Sequence, residues 1–167
     1  MEKDIMVKRL ATRVVFTSVG LGAALTKAAG IQALIDMQHK LVDALLQPES
    51  DKLRGKGLKV YPSIIGPTAH ALGIPLTFHT VTDERIESST SKCAYYEAAK
   101  QLGLADTPLC EGLCKAVSES LLKLIAPGYS KRIVKSLWRG DDECRFEITK
   151  RYRRGSRIAK DQFKRVE

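Results

Sequence analysis

The side chains best equipped for chemistry in this chain are its four cysteines. Two of them, Cys110 and Cys114, lie four residues apart in "TPLCEGLCKA". On an α-helix that spacing puts both thiols on one face, a turn apart. Cys93, in "TSKCAYYEA", closes a strand and opens a helix, and Cys144, in "GDDECRFEI", follows a turn. Three chemistries fit this pattern. Thiolates from one helical turn and a hairpin can meet around zinc or another transition metal, the ligand set then being Cys93, Cys110, Cys114 and Cys144, although C-x3-C is not the usual C-x2-C spacing. A thiol in the first turn of a helix has its thiolate favoured by the macrodipole, which makes Cys110 a candidate nucleophile, with Glu111 beside it acting in the opposite direction. Free cysteine is also a small buried hydrophobe, so four thiols can simply fill a core. The residues alone leave all three open.

Acid–base partners are fewer. His79 falls on a strand and can face the core or a pocket, and Asp141, beside Asp142, can serve as acid or base. With Cys110 these form the candidate catalytic set, although two acidic residues at a hairpin tip are more often turn formers. His70 lies on an apolar helix face, where a satisfied core histidine is the commoner outcome. Tyr95 and Tyr96 follow Cys93; one of them belongs in the core and the other can offer its hydroxyl to a ligand. Together with His70 and Trp138 they are the candidate ligand contacts. His39, on the polar side of its helix, reads as exposed. No glycine-rich phosphate loop, H-E-x-x-H pair or nucleophile elbow is present, which leaves common nucleotide and serine-hydrolase chemistry unsupported.

The elements that must position these groups follow from periodicity. Helical spacing runs from Ile5 into "GLGAALTKAA" and breaks at Gly30. A second helix carries Ile31, Leu34, Ile35, Leu41, Val42 and Leu45 to a stop at Pro48. A third covers "YPSIIGPTAHALG". The Thr-, Val- and Ser-rich stretch from Pro75 to Cys93 predicts a hairpin turning at Asp83 and Glu84, its second arm polar on both faces and so placed at an edge or beside a wet cavity. Two helices follow. The second is capped by Thr107 with Pro108 at its first position, and it ends before Pro127. A last hairpin turns at Gly140-Asp141-Asp142, with Cys144, Phe146 and Ile148 on one face. This is an α+β pattern: an antiparallel sheet of about four strands, made of two hairpins, packed with about five helices. One domain spans 1–149, as a mainly helical half (1–73) and a hairpin–helix–helix–hairpin half (74–149), followed by a basic tail over 150–167.

The 167 residues suffice for one core. A net charge of +9 invites an acidic partner, yet the only dense basic block is the tail from Lys150 to Arg165. No zinc-finger spacing, helix-turn-helix pattern or aromatic ribonucleoprotein motif accompanies it, which argues against nucleic acid. The apolar run from Val14 to Leu25 imitates a signal peptide, but Glu2, Asp4, Thr17 and Ser18 break that pattern, and the run is too short to span a bilayer. The expectation is a cytoplasmic protein with no membrane partner, reduced thiols, a small-molecule ligand or substrate, and a homodimer as the assembly to test.

The segment "TSKCAYYEAAKQLGLADTPLCEGLCKA", with the closing "WRGDDECRFEI", resembles the L-2-amino-thiazoline-4-carboxylic acid hydrolase family. Those members carry a Cys-Pro-Tyr-Tyr-like segment, a later cysteine pair and a Gly-Asp-x-x-Cys-x-Phe hairpin. The last hairpin also looks like the end of the 4-vinyl reductase domain, a small-molecule-binding module. The resemblance covers residues 90 to 148 or so, and Ala94 stands where a proline is the family pattern. It implies a hydrolase-like protein opening a small heterocyclic amidine or thiazoline by C–N or C–S cleavage, with the cysteines at the site. The alternative it implies is a non-enzymatic ligand- or metal-binding domain, a sensor or scaffold. Sensor members hold zinc through a Glu-x-x-Cys before the final hairpin cysteine; Ile133 and Ser136 occupy that register here.

Overall fold

The computed structural model describes residues 2–107 and 109–151, without the side chains of residues 2–5, 7, 8 and 111. Pro108 and the basic tail from residue 152 onward, and with them the helix-start and tail expectations, lie outside the described residues.

The chain opens with a long helical element, α1 (Glu2–Leu46), interrupted at Gly30. That residue has φ 82 and ψ 165, a conformation that only glycine adopts without strain. The bend is sharp. A Cβ placed on Gly22 would lie 3.4 Å from Leu34 Cδ2, whereas twelve residues of straight helix would separate the two positions by about 18 Å. Residues on both sides of Gly30 therefore face each other. Val15, Val19 and Ala23, at four-residue steps, bury one stripe of the first half, and Leu34 is fully buried from the second. Met6, Leu10 and Leu21 remain more than 60% exposed on the opposite side.

A short turn of helix, α2 (Ser50–Leu53), and α3 (Tyr61–Ala71) lead to the sheet. Strands β1 (Thr77–Val81) and β2 (Arg85–Thr90) form the first hairpin, closed at the predicted place by Thr82, whose side chain accepts from the N–H groups of Glu84 and Arg85. Helix α4 (Ala94–Gln101) follows, then a π-helical turn over Glu111–Lys115 that runs directly into α5 (Ala116–Ile125). Strands β3 (Tyr129–Lys135) and β4 (Cys144–Lys150) complete an all-antiparallel sheet in the order β1-β2-β4-β3.

The α+β expectation therefore holds, with one difference in placement. The polar strand β2 is internal, paired on both sides, and β1 occupies the edge. Its register puts Ile86, Ser88 and Thr90 opposite Ile148, Phe146 and Cys144 on the inward face. Small hydroxylated residues fit there because larger side chains from β4 and the helices fill the space beside them.

The helices cover one face of the sheet only. Two apolar clusters lie beneath them: Val15, Val19, Leu34, Ala98, Leu109 and Leu113 in one, and Leu58, Tyr61, Ile86, Leu121, Leu122, Ile125 and Ile148 in the other. The outer face is a polar ladder in which Glu147 receives Arg85 at 2.7 Å and Arg132 Nε at 3.1 Å.

Candidate functional site

Three of the four cysteines come together between the two clusters. Cys93 is the residue before α4 and is 3% exposed; Cys110 and Cys114 arrive on the π turn and its approach. The π turn explains part of this placement. It inserts extra backbone between Cys110 and α5, so the two thiols lie a π turn and not an α turn apart, and still touch. It is seated by Gly112, where a Cβ would meet Leu34 at 2.5 Å, so only glycine allows α1 to approach this closely.

Cys114 is in hydrogen-bonding contact with both other thiols, and this sets their titration. The bond to Cys110, then that to Cys93, then burial hold the Cys114 thiol well above its ordinary value. Cys93 moves the other way. The bond from Cys114 lowers it most, burial opposes, and the nearby N–H groups of Tyr96 and Tyr95 at the start of α4 pull in the lowering direction without reaching capping geometry. The arrangement is a chain with Cys114 in the middle. At one end, Cys93 gives up its proton more readily than a free thiol does, and the thiolate is the nucleophilic form.

Cys144 lies beside this chain without bonding to it, near enough for Cys93 and Cys110 to act on its charge. Its sulfur accepts from Leu137 N–H at 3.5 Å, and burial pushes the thiol up to about 11. None of the four cysteines is in a disulfide. Among the described residues no group of three His, Cys, Asp or Glu side chains is arranged to hold a metal ion. The zinc expectation thus finds no donor set among the described residues.

The cysteine chain separates two spaces. On the outer side lies an open groove of about 690 Å³, walled by Thr12 and Phe16 of α1, His70 and Leu72 at the end of α3, and Cys93 with Glu97. On the inner side lies a smaller cavity of about 100 Å³, also open to solvent at one side, between α3, α5 and the sheet, lined chiefly by Ile65, Leu72, Val117 and Phe146, with Cys114 in its wall. Leu72 borders both.

Tyr95 also lines the inner cavity, and burial pushes its hydroxyl up, with Cys114 and Cys93 acting in the same direction. Tyr96 packs edge-on against Trp138, ring centroids 5.5 Å apart, and Trp138 Nε1 is buried without a hydrogen-bond partner.

The remaining candidates sit elsewhere. His79 bonds to Ser89 Oγ at 2.8 Å; Ser89 is opposite Arg145, which places both on the outer, solvent-facing side of the sheet. Asp141 accepts from Ser136 N–H at 2.6 Å, closing the β3–β4 connection. The structure therefore brings Cys93, Cys110, Cys114, Tyr95 and His70 to one region and leaves His79 and Asp141 outside it.

A residue the sequence reading passed over completes the inner cavity. Lys131 of β3 is 9% exposed, its Nζ donating to Ser118 Oγ at 3.0 Å and sitting 3.9 Å from the centre of the Phe146 ring. The signal was present: in "YSKRI" alternate residues Tyr129, Lys131 and Ile133 share a face, and Lys131 is the charged member of an otherwise inward row.

No protein-family model matches the chain, and no curated protein matches it. Among solved structures it is similar to a trafficking protein particle complex subunit 3 from Naegleria fowleri, covalently bound to palmitic acid. That likeness has a TM-score of 0.53 at 17% identity, covering 87% of this chain and 97% of the other. At this identity what is shared is the fold.

Proposed function

We propose that the protein is a small-ligand-binding domain, of the sensor or scaffold kind, whose ligand enters the inner cavity with its apolar part against Ile65, Leu72, Val117 and Phe146. The observation that carries this reading is the cavity itself: a mostly apolar space with a few converging polar groups, the usual make-up of a small-molecule site. Leu72, shared by cavity and groove, is where a longer ligand would pass from one to the other. The solved neighbour supports the reading in kind, since a chain of similar fold is covalently bound to palmitic acid.

The test is displacement of an environment-sensitive apolar fluorophore by aliphatic compounds, in the wild type and in Val117→Trp, which fills the cavity. Saturable displacement that Val117→Trp abolishes without lowering Tm is expected. Absence of binding at millimolar ligand would remove the proposal.

A second reading rests on Cys93. Its lowered thiol, in the groove that His70 also lines, supports the hydrolase alternative: the Cys93 sulfur adds to the amidine carbon of a thiazoline-type ring, the ring C–S bond breaks as its sulfur takes up a proton, and water then adds to the same carbon and expels Cys93 to leave the carbamoyl product. Turnover of such a compound that disappears in Cys93→Ser would favour it over simple binding. The neighbour's place in a complex, together with the exposed Met6, Leu10 and Leu21, supports a protein partner on α1, of which a second copy is the first to test by mass in solution.

A further inference from the structure

Lys131 is the polar group in the cavity whose bonding capacity is least used. Its ammonium carries three donors, and one of them goes to Ser118 Oγ. Ser118 can do no more. It already accepts from Tyr61 hydroxyl at 2.9 Å as well as from Lys131, and it donates to Cys114 carbonyl at 3.0 Å, which fills both lone pairs and its one hydrogen. The face of Phe146 stabilises the positive charge without neutralising it. No carboxylate among the described residues is in ion-pair range of this nitrogen. A cation so thoroughly buried is ordinarily matched by an anion, because removal from water is otherwise uncompensated.

From this we infer that the ligand of the inner cavity is an apolar-tailed carboxylic acid whose carboxylate pairs with Lys131 Nζ. The inference rests on the small-ligand reading above and adds the chemistry of the head group. A single negative charge matches the single ammonium. A phosphate would bring a second charge with no further cation lining the cavity to meet it, and a neutral alcohol would leave the ammonium unmatched. Two free N–H donors suit the two oxygens of a carboxylate. Ser118, itself fixed by the Tyr61 hydroxyl, holds the ammonium at the cavity wall. The tail then lies along Leu72 and Val117, where the lining is apolar.

The experiment compares carboxylates with alcohols of the same tail, hexanoate with hexanol and octanoate with octanol, by displacement of the fluorophore from the full chain. It is run on the wild type, on Lys131→Met, which keeps the length of the side chain without its charge, and on Lys131→Arg. In the wild type the carboxylate should bind about tenfold or more tighter than its alcohol, the size expected for one charge-assisted pair shielded from water. Lys131→Met should lose that preference and keep alcohol binding; Lys131→Arg should retain a preference for the carboxylate. Equal binding of acid and alcohol by the wild type, or an undiminished preference in Lys131→Met, would overturn the assignment of the head group while leaving the cavity as a ligand site. If neither acid nor alcohol displaces the probe from the wild type, the small-ligand reading itself fails, and this inference fails with it. The wild-type comparison needs no variant, so a folding defect in Lys131→Met would not protect the idea.

Discussion

Replacing Gly112 by alanine tests how the cysteine region is seated. In an ordinary helix this change stabilises by about 0.5–1 kcal/mol, because alanine loses less backbone entropy. Here the added Cβ would lie 2.5 Å from Leu34 Cδ2 and 2.6 Å from its Cγ, with Ile31 Cδ1 at 3.5 Å. The clash reaches the branch point of Leu34, so a rotation of the side-chain tip does not relieve it. Leu34 is fully buried, and it packs so near Gly22 that a Cβ there would lie 3.4 Å from it, so it cannot withdraw toward the first half of α1. Overpacking of a tight core costs about 1–3 kcal/mol, which exceeds the propensity gain in most of its range. The net expectation is a loss of roughly 1–2 kcal/mol on urea denaturation, with unchanged m-value. The companion variant is Leu34→Ala, which alone should cost about 2–5 kcal/mol through the cavity it leaves. Together the two changes should cost less than the sum, since the new methyl occupies part of the space that Leu34 vacates. A Gly112→Ala chain as stable as the wild type, or strict additivity in the double variant, would refute the account of the π turn as a close-packed seat.

Three further expectations follow from the same geometry. Cys114→Ala should raise the midpoint pH for alkylation of Cys93 by iodoacetamide, because the bond that lowers this thiol most is gone, and Cys114→Ser should largely restore it; an unchanged midpoint would contradict the bonded chain. Cys144 keeps its proton in the folded state up to about 11 against an ordinary 9.0, so its contribution is complete below the unfolded value and is lost as pH rises through that window; the fall in stability from about pH 9 to 11 should be shallower in Cys144→Ala, and equal slopes would refute it. Asp141→Ala removes the acceptor for Ser136 N–H and should cost about 1–2 kcal/mol in stability while leaving probe binding and Cys93 alkylation intact; loss of either with an unaltered Tm would give Asp141 a role at the site instead of in the turn.

Much of the fold was legible because its boundaries are marked by residues with few conformations. Gly30 ends the first helical run, Pro48 the second, and the turns at Asp83-Glu84 and Gly140-Asp141 close their hairpins. The inward row Cys144, Phe146, Ile148 follows from strand alternation and is buried as expected. The position of β2 was not legible, because burial of Ser88, Ser89 and Thr90 depends on neighbours that only the tertiary fold supplies. The π turn was equally hidden: "CEGLC" reads as α-helix by period, and the turn packs against Leu34, a neighbour far away in sequence. At the site, cysteine type alone singled out Cys93, Cys110, Cys114 and Cys144; the first three touch, and Cys144 lies near Cys93 and Cys110 without bonding to them. His79 could not be placed without knowing which face of β1 it takes at the register shift between Phe78 and Thr80. Lys131 was obscured by composition, being one lysine among 28 basic residues.

The π turn also sets what kinds of sequence change this region can absorb. One residue of an α-helix corresponds to about 100° of rotation. A single deletion between Leu109 and Lys115 would let the backbone relax into continuous α-helix, a change favourable for local hydrogen bonding. It would also turn every earlier residue of the segment by that angle relative to α5, carrying Leu109 off α1 and Cys110 away from Cys114. Substitutions in this stretch are matters of degree, whereas a change in length alters which residues face which. Descendants of this chain would be expected to vary the side chains around the thiols freely before they vary the number of residues between them.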